Sequence, residues 1–194
     1  NVFRIEGALA KGSSVVASAS KGIILLGGPS RHFAWQPEKL IEEIDTILKR
    51  DEDISWTIAN SRRTPEVFSH LVETRLKRKI VYWSDVDNDW LENELAQCGF
   101  TWVTPDSISM VYEALTTKGR VGIFDMNPLG GGGKVSSSID RLVKAGRLGR
   151  SSLGSLLQQL ETFEPLQESH RCAQHIIDSW FKKSKSGYVN RTTA

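Results

Sequence analysis

Hydrophobic positions along this chain follow two periods, and the periods take turns. Ile23-Ile24-Leu25-Leu26 is an unbroken apolar run, the pattern of a strand buried on both faces. It ends in Gly27-Gly28-Pro29-Ser30-Arg31. From Pro37 to Arg50, Leu40, Ile41, Ile44, Ile47 and Leu48 recur at helical spacing, and Pro37 suits a first turn, where its missing N–H costs nothing. Ile54–Ala59 reads as a second strand, closed by Asn60-Ser61-Arg62-Arg63-Thr64. Pro65–Leu76 reads as a second helix, with Val67, Phe68, Leu71, Val72 and Leu76 as its stripe. Lys79–Trp83 is a third strand, followed by the acidic loop Ser84–Asn88. Trp90–Ala96 is helical, and Phe100–Val103 is a fourth strand. Thr104 and Pro105 stop it, and Asp106 or Ser107 supplies the side-chain oxygen that caps a helix running through Leu115. Arg120–Asp125 is a fifth strand.

Strand and helix thus alternate five times with short connections. That is the signature of βαβ units: an α/β, Rossmann-like, doubly wound parallel sheet of about five strands with helices on both faces. Beyond Asp125 the alternation stops. Ile139–Ala145 predicts a short helix ended by Gly146, and Ser151–Leu160 predicts another. Glu168–Lys182 carries Ala173, Ile176, Ile177 and Trp180 on one face and is expected to dock on the domain or a neighbouring lobe. Residues 1–21 read as a linker or the remnant of a missing N-terminal lobe, 22–182 as the folded lobe and 183–194 as a flexible tail.

In a sheet of this kind ligands bind outside the carboxyl ends of the strands. The loops Gly27–Arg31, Asn60–Arg63, Ser84–Asn88 and Thr104–Ser109 therefore meet on one edge. Two carry arginines, and one opens a helix with hydroxyls, a combination that suits a diphosphate. The candidate diphosphate residues are Gly28, Ser30, Arg31, Arg62, Arg63, Ser107 and Ser109. Asp106, Ser109 and Glu113 share one face of the Ser107–Leu115 helix, and Glu113 is placed to accept bonds from a pair of sugar hydroxyls. An ordinary cap followed by a solvated Glu would give the same local pattern.

Composition narrows the classes. The chain has 194 residues, 39% hydrophobic and 25% charged, an ordinary globular balance. A net charge of +2 lacks the basic footprint of a nucleic-acid binder. Cys98 and Cys172 have no metal-ligand spacing and read as free thiols of a reducing, cytoplasmic compartment. No apolar run reaches membrane-spanning length, and no secretion signal opens the sequence. The first residue is Asn1 rather than Met, which points to a fragment.

Several motifs fail. No G-x-G-x-x-G follows the first strand, which weakens a dinucleotide reading, and no G-x-S-x-G elbow occurs. Gly130-Gly131-Gly132-Gly133-Lys134 resembles a phosphate loop, but Pro128 stands where its first glycine should be and Val135 where Ser or Thr should follow. A mobile loop able to close over a ligand fits better. His32, His70, His170 and His175 lie at no metal spacing. No general base is identifiable; His32 is nearest the ligand edge, and it reads more simply as a loop histidine.

Four motifs in order carry a family resemblance. They are Gly27-Gly28-Pro29-Ser30-Arg31-His32-Phe33, Ser61-Arg62-Arg63-Thr64-Pro65, Val103-Thr104-x-Asp106-Ser107-x-Ser109-Met110-Val111-x-Glu113-Ala114, and Glu164-Pro165-Leu166. Together they resemble the mitochondrial-fission ELM-type family, whose plant members act in mitochondrial division. The Ser-Arg-Arg-Thr-Pro run is closer to the bacterial form. The resemblance covers about Gly22 to Lys182. The family is similar in turn to GT-B glycosyltransferases, two facing Rossmann-like lobes with the nucleotide sugar in the second. It therefore implies one lobe of a GT-B-like architecture, with hydroxyls and N–H groups of the Asp106–Ala114 run on the diphosphate and Glu113 on the ribose. It implies no metal and no cofactor beyond the nucleoside diphosphate sugar itself, because arginines and a helix dipole carry the charge.

The sequence departs from that pattern in two places. The first lobe is missing, so acceptor site and catalytic base go unassigned. The Gly130–Gly133 run also replaces the usual basic-aromatic segment. Two alternatives stand beside the donor lobe: a non-catalytic scaffold with a protein partner, as the plant members' role implies, and a sugar-nucleotide epimerase.

Overall fold

The computed structural model describes residues 17–130, 133–161 and 165–181, together with Phe3 and Ile5. Six strands form one sheet: β1 (Ser18–Leu25), β2 (Ser55–Ala59), β3 (Ile80–Val81), β4 (Cys98–Val103), β5 (Arg120–Ile123) and β6 (Gly149–Arg150). Their order is β3-β2-β1-β4-β5-β6, and every pairing is parallel. This is the doubly wound, Rossmann-like arrangement, with the chain reversing direction across the sheet between β1 and β4.

The helices are α1 (Pro37–Arg50), α2 (Glu66–Leu76), α3 (Trp90–Gln97), α4 (Ile108–Ala114), α5 (Lys134–Lys144), α6 (Leu156–Gln159) and α7 (Glu168–Ile176). They cover both faces. Ile23 and Leu25 of β1 join Leu95, Val111, Leu115, Ile139 and Leu142 in one core. Ile24 and Leu26 join Leu40, Ile44, Ile47, Phe68, Val72 and Leu156 in the other. Alternate residues of one strand thus enter opposite cores, which is why the run shows no polar interruption.

The structure departs from the sequence reading at several points. β1 begins at Ser18, inside the stretch expected to be linker, and its register against β4 shifts between Ser18 and Gly22. A bulge of this kind breaks the simple period a sequence reading relies on. Val67, assigned to the buried stripe of α2, is 83% exposed, and Ser69 is buried in its stead. The continuous helix expected over Ser151–Leu160 is a short 3-10 turn, Ser151–Leu153, then α6, which Ser155 restarts by accepting the Leu157 N–H. Just before it lies the unforeseen sixth strand. β6 is an edge strand of two residues whose open side is closed by one side chain. Gln159 Oε1 accepts from the Arg150 N–H at 2.8 Å, and its Nε2 donates to the Arg150 carbonyl at 2.9 Å. Too short to show a period, such a strand is visible only once its neighbour β5 is in place.

The last expected helix is α7 followed by a π turn over Ile177–Phe181. Its predicted stripe does not dock on the sheet: Ile176, Ile177 and Trp180 are exposed, as is Ala173. The residue α7 buries is Glu168, paired with Arg171, and Phe3 stacks on His175 with centroids 4.3 Å apart. Glu164 of the fourth motif, Gly131 and Gly132 of the glycine run, and the 183–194 tail lie outside the described residues. No helix among the described residues is long and apolar enough to cross a membrane. Both cysteines are free; Cys98 lies inside the sheet, where burial pushes its thiol up to about 12.

Candidate functional site

The loops after β1, β2 and β4 are bound together at the carboxyl edge of the sheet, as strand polarity requires. Three buried side chains do this. Thr104 Oγ1 accepts the Gly27 N–H at 2.7 Å. Thr64 Oγ1 accepts the Ser61 N–H at 2.9 Å and shares its own hydrogen between the carbonyls of Leu26, at 2.8 Å, and Gly27, at 2.7 Å. Asp106 Oδ2 accepts the Gly28 N–H at 3.1 Å and Arg63 Nη2 at 2.8 Å. Thr64→Val keeps the shape of the side chain and leaves these backbone groups unpaired. It is expected to lower stability by about 1–3 kcal/mol, measured as a fall in the denaturant midpoint with unchanged slope.

Asp106 has a different role from the one its position suggested. It neither caps α4 nor faces solvent: its side chain is 0% exposed, against 46% for Arg63, and Ser107 is the N-cap residue, with no side-chain cap bond. Burial raises its carboxyl above the usual carboxylate range, against the opposing pull of Thr104, Gly28 and Arg63. The two glycines make room for it. A Cβ on Gly27 would stand 2.3 Å from both Asp106 carboxylate oxygens, and one on Gly28 would stand 1.8 Å from the Arg63 carbonyl oxygen. The Gly28 N–H is therefore committed to Asp106 and does not point outward.

The remaining predicted residues fall around this knot. Ser30 Oγ accepts the His32 N–H at 3.1 Å and folds the β1 loop back on itself. The same loop zips onto the segment after β5 through a Phe33–Pro128 bridge and the Ala34 N–H to the Asn127 carbonyl, 2.8 Å. Arg31 is exposed beside His32. Neither Arg31 nor Arg62 forms an ion pair among the described residues. Ser107 is half-buried and Ser109 exposed on the first turn of α4.

Glu113 lies one turn further along α4 and is half-buried. Burial raises its carboxyl above the ordinary range. Its carboxylate accepts no hydrogen bond among the described residues, while its backbone carbonyl accepts the Thr116 hydroxyl.

One component escaped the sequence reading. A cavity of ≈ 190 Å³ opens at the ends of β1, β2 and β3, lined by Arg62, Val81, Trp83, Trp90, Leu91 and Met110 among others. Asn60 fixes its wall: its Oδ1 accepts the Trp83 N–H at 2.8 Å, and its N–H donates to the Val81 carbonyl. By sequence, Trp83 ends the third expected strand and Trp90 opens a helix. Two tryptophans flanking an acidic loop are the signal that would have pointed here. Met110 precedes Glu113 by three residues, so both lie on one side of α4.

A second polar cluster sits beyond β5. Arg150 bridges Asp125 and Asp140, at 2.9 Å to each, and Ser152 donates its N–H to Asp125 at 3.0 Å. Burial works against the Asp125 charge, but bonds from Ser152 and Arg150 hold its carboxyl below the ordinary range. These groups satisfy one another and lock β6 to β5.

A family model described as mitochondrial fission ELM1 matches residues 4–180. No curated protein matches the chain. Among solved structures, the chain is similar to a point mutant of S. aureus TarM in complex with fondaparinux, alpha-GlcNAc-glycerol and UDP. The TM-score is 0.44 at 15% identity, covering 95% of this chain and 38% of TarM. The chain thus spans well under half the length of that protein.

Proposed function

Because the chain belongs to the mitochondrial fission ELM1 family, we propose that its lobe binds a nucleoside diphosphate sugar, as the donor half of a GT-B-like glycosyltransferase. The observation that supports this reading is the cavity shared by Arg62, Trp83 and Met110, with the unbonded Glu113 carboxylate one turn along the same helix. In this reading the apolar cavity takes the flat base. Arg62 meets the diphosphate at the cavity mouth, joined by Arg31, Arg63, Ser30, Ser107 and Ser109. Glu113 accepts from the ribose hydroxyl pair, an arrangement suited to a carboxylate, which only accepts. Guanidinium groups carry the phosphate charge that a metal would otherwise neutralise. The acceptor and the catalytic base belong to a facing lobe.

Calorimetric titration with uridine and guanosine diphosphates tests this. One of them is expected to bind, and Arg62→Ala and Glu113→Ala are each expected to weaken it by about tenfold or more, the scale of a lost bond to a charged group. If neither nucleotide binds at millimolar concentration, or if both variants bind like the parent, the reading is wrong.

A second reading, an interaction scaffold, has its own supporting observation: Ile176, Ile177 and Trp180 stand exposed together on α7 and the turn that follows it. Apolar residues grouped in this way mark contact surfaces. A protein partner lost with Trp180→Ala but retained by Arg62→Ala and Glu113→Ala would favour it.

A further inference from the structure

We infer that Asp106 couples anion binding at the loop edge to proton uptake: as a diphosphate draws Arg63 away, the buried carboxylate takes a proton from solvent. The inference rests on the nucleoside-diphosphate reading above. Its basis is the unequal placement of the two partners. The Asp106 side chain has no exposure, whereas nearly half of the Arg63 side chain reaches solvent. Each element around Asp106 presents different groups. The β1 loop offers only backbone, the Gly28 N–H and the Cα of Gly27. The loop after β4 offers the Thr104 hydroxyl. The β2 loop offers Arg63, the charged group that bonds to Asp106.

A diphosphate in this cleft would compete with Asp106 for that guanidinium. An anion left in a dry site without its cation is strongly unfavourable, and protonation removes that penalty. The charges then balance. Before binding, the Asp106 carboxylate and Arg63 cancel; afterwards Arg63 cancels one phosphate charge and Asp106 is neutral. The proton has a place to go. Asp106 Oδ1 is buried and bonded to nothing among the described residues, so an O–H forms there while Oδ2 keeps the Gly28 N–H.

The sign follows from the linkage. Losing Arg63 and gaining a nearby phosphate both favour the protonated carboxyl, so the bound state keeps a proton at a pH where the free state has released it. Affinity therefore falls as pH rises through that interval, by about tenfold per pH unit at most.

UDP-glucose and GDP-glucose are suitable probes, because a diphosphate esterified at both ends exchanges no proton near neutral pH. Calorimetry in two buffers of different ionisation enthalpy counts the protons. The expected result is net uptake by the parent protein, absent in Asp106→Asn. If Asp106→Asn fails to fold, carbon-13 NMR of the Asp106 carboxyl in the parent carries the test, and its titration midpoint should rise on adding the ligand. Binding without proton exchange, or with exchange that persists in Asp106→Asn, overturns the coupling and leaves the nucleotide reading intact. Failure of both sugar nucleotides to bind overturns the nucleotide reading, and the coupling with it.

Discussion

Trp102→Ala is expected to be the most destabilising single side-chain truncation in the chain, costing about 3–5 kcal/mol. Trp102 lies on the central strand β4, is 0% exposed and is the largest fully buried side chain among the described residues. Its register partner on β5 is Gly122, and a Cβ there would stand 2.4 Å from the indole ring. The ring therefore lies across a strand position that has no side chain of its own. Phe124 packs 6.0 Å away and Arg50 lies 5.9 Å over its face. Truncation opens a cavity that no neighbour on a rigid sheet can fill, because Gly122 contributes nothing toward it. For a chain of this size the loss corresponds to a fall in melting temperature of roughly 10 °C or more. A thermal melt followed by circular dichroism measures it. A fall of only a degree or two would mean that the core collapses around the missing ring.

Gly28→Ala is expected to be nearly as costly, by a different mechanism. The added methyl meets the Arg63 carbonyl oxygen, a backbone atom that no rotamer change can move aside. The β1 and β2 loops must separate, breaking the Asp106 bonds to Gly28 and Arg63 and disturbing the Thr64 bridge. The expected cost is about 3 kcal/mol or more, with loss of the proposed nucleotide binding at the same time. Gly133→Ala is the matched control. An added methyl there meets nothing within 4 Å, and φ at Gly133 is −80°, so only a change within about 1 kcal/mol in its helix-capping contribution is expected. Comparing the two melts separates steric conflict from the general effect of removing a glycine.

Most of the layered fold was legible in the linear chain, because its signals are local. The Ile23–Leu26 run, the stripe from Leu40 to Leu48 and the turn residues between them report the period of each element directly. Five alternations leave few topologies once crossovers must be right-handed. Elements whose identity depends on a neighbour were not legible. β6 exists because β5 and Gln159 complete its hydrogen bonds. The exposed stripe of α7 shows that a helical period specifies an apolar face without specifying what covers it.

The candidate site divides the same way. Strand polarity alone predicted that the loops after β1, β2 and β4 would share an edge, and Asp106, Thr64 and Thr104 tie them together there. Helical spacing counted from Asp106 put it and Glu113 on one polar face, but α4 starts only at Ile108: Asp106 became an internal anchor, while Glu113 kept an unbonded carboxylate. The cavity between Arg62, Trp83 and Met110 joins three separate segments of the chain; the tryptophans flanking the acidic loop are its one local trace, and only packing closes it. The linear chain specifies each backbone segment through side-chain period and turn chemistry. Only tertiary packing decides which polar groups lose water, and with it which arginine is paired and which acid is left without a partner.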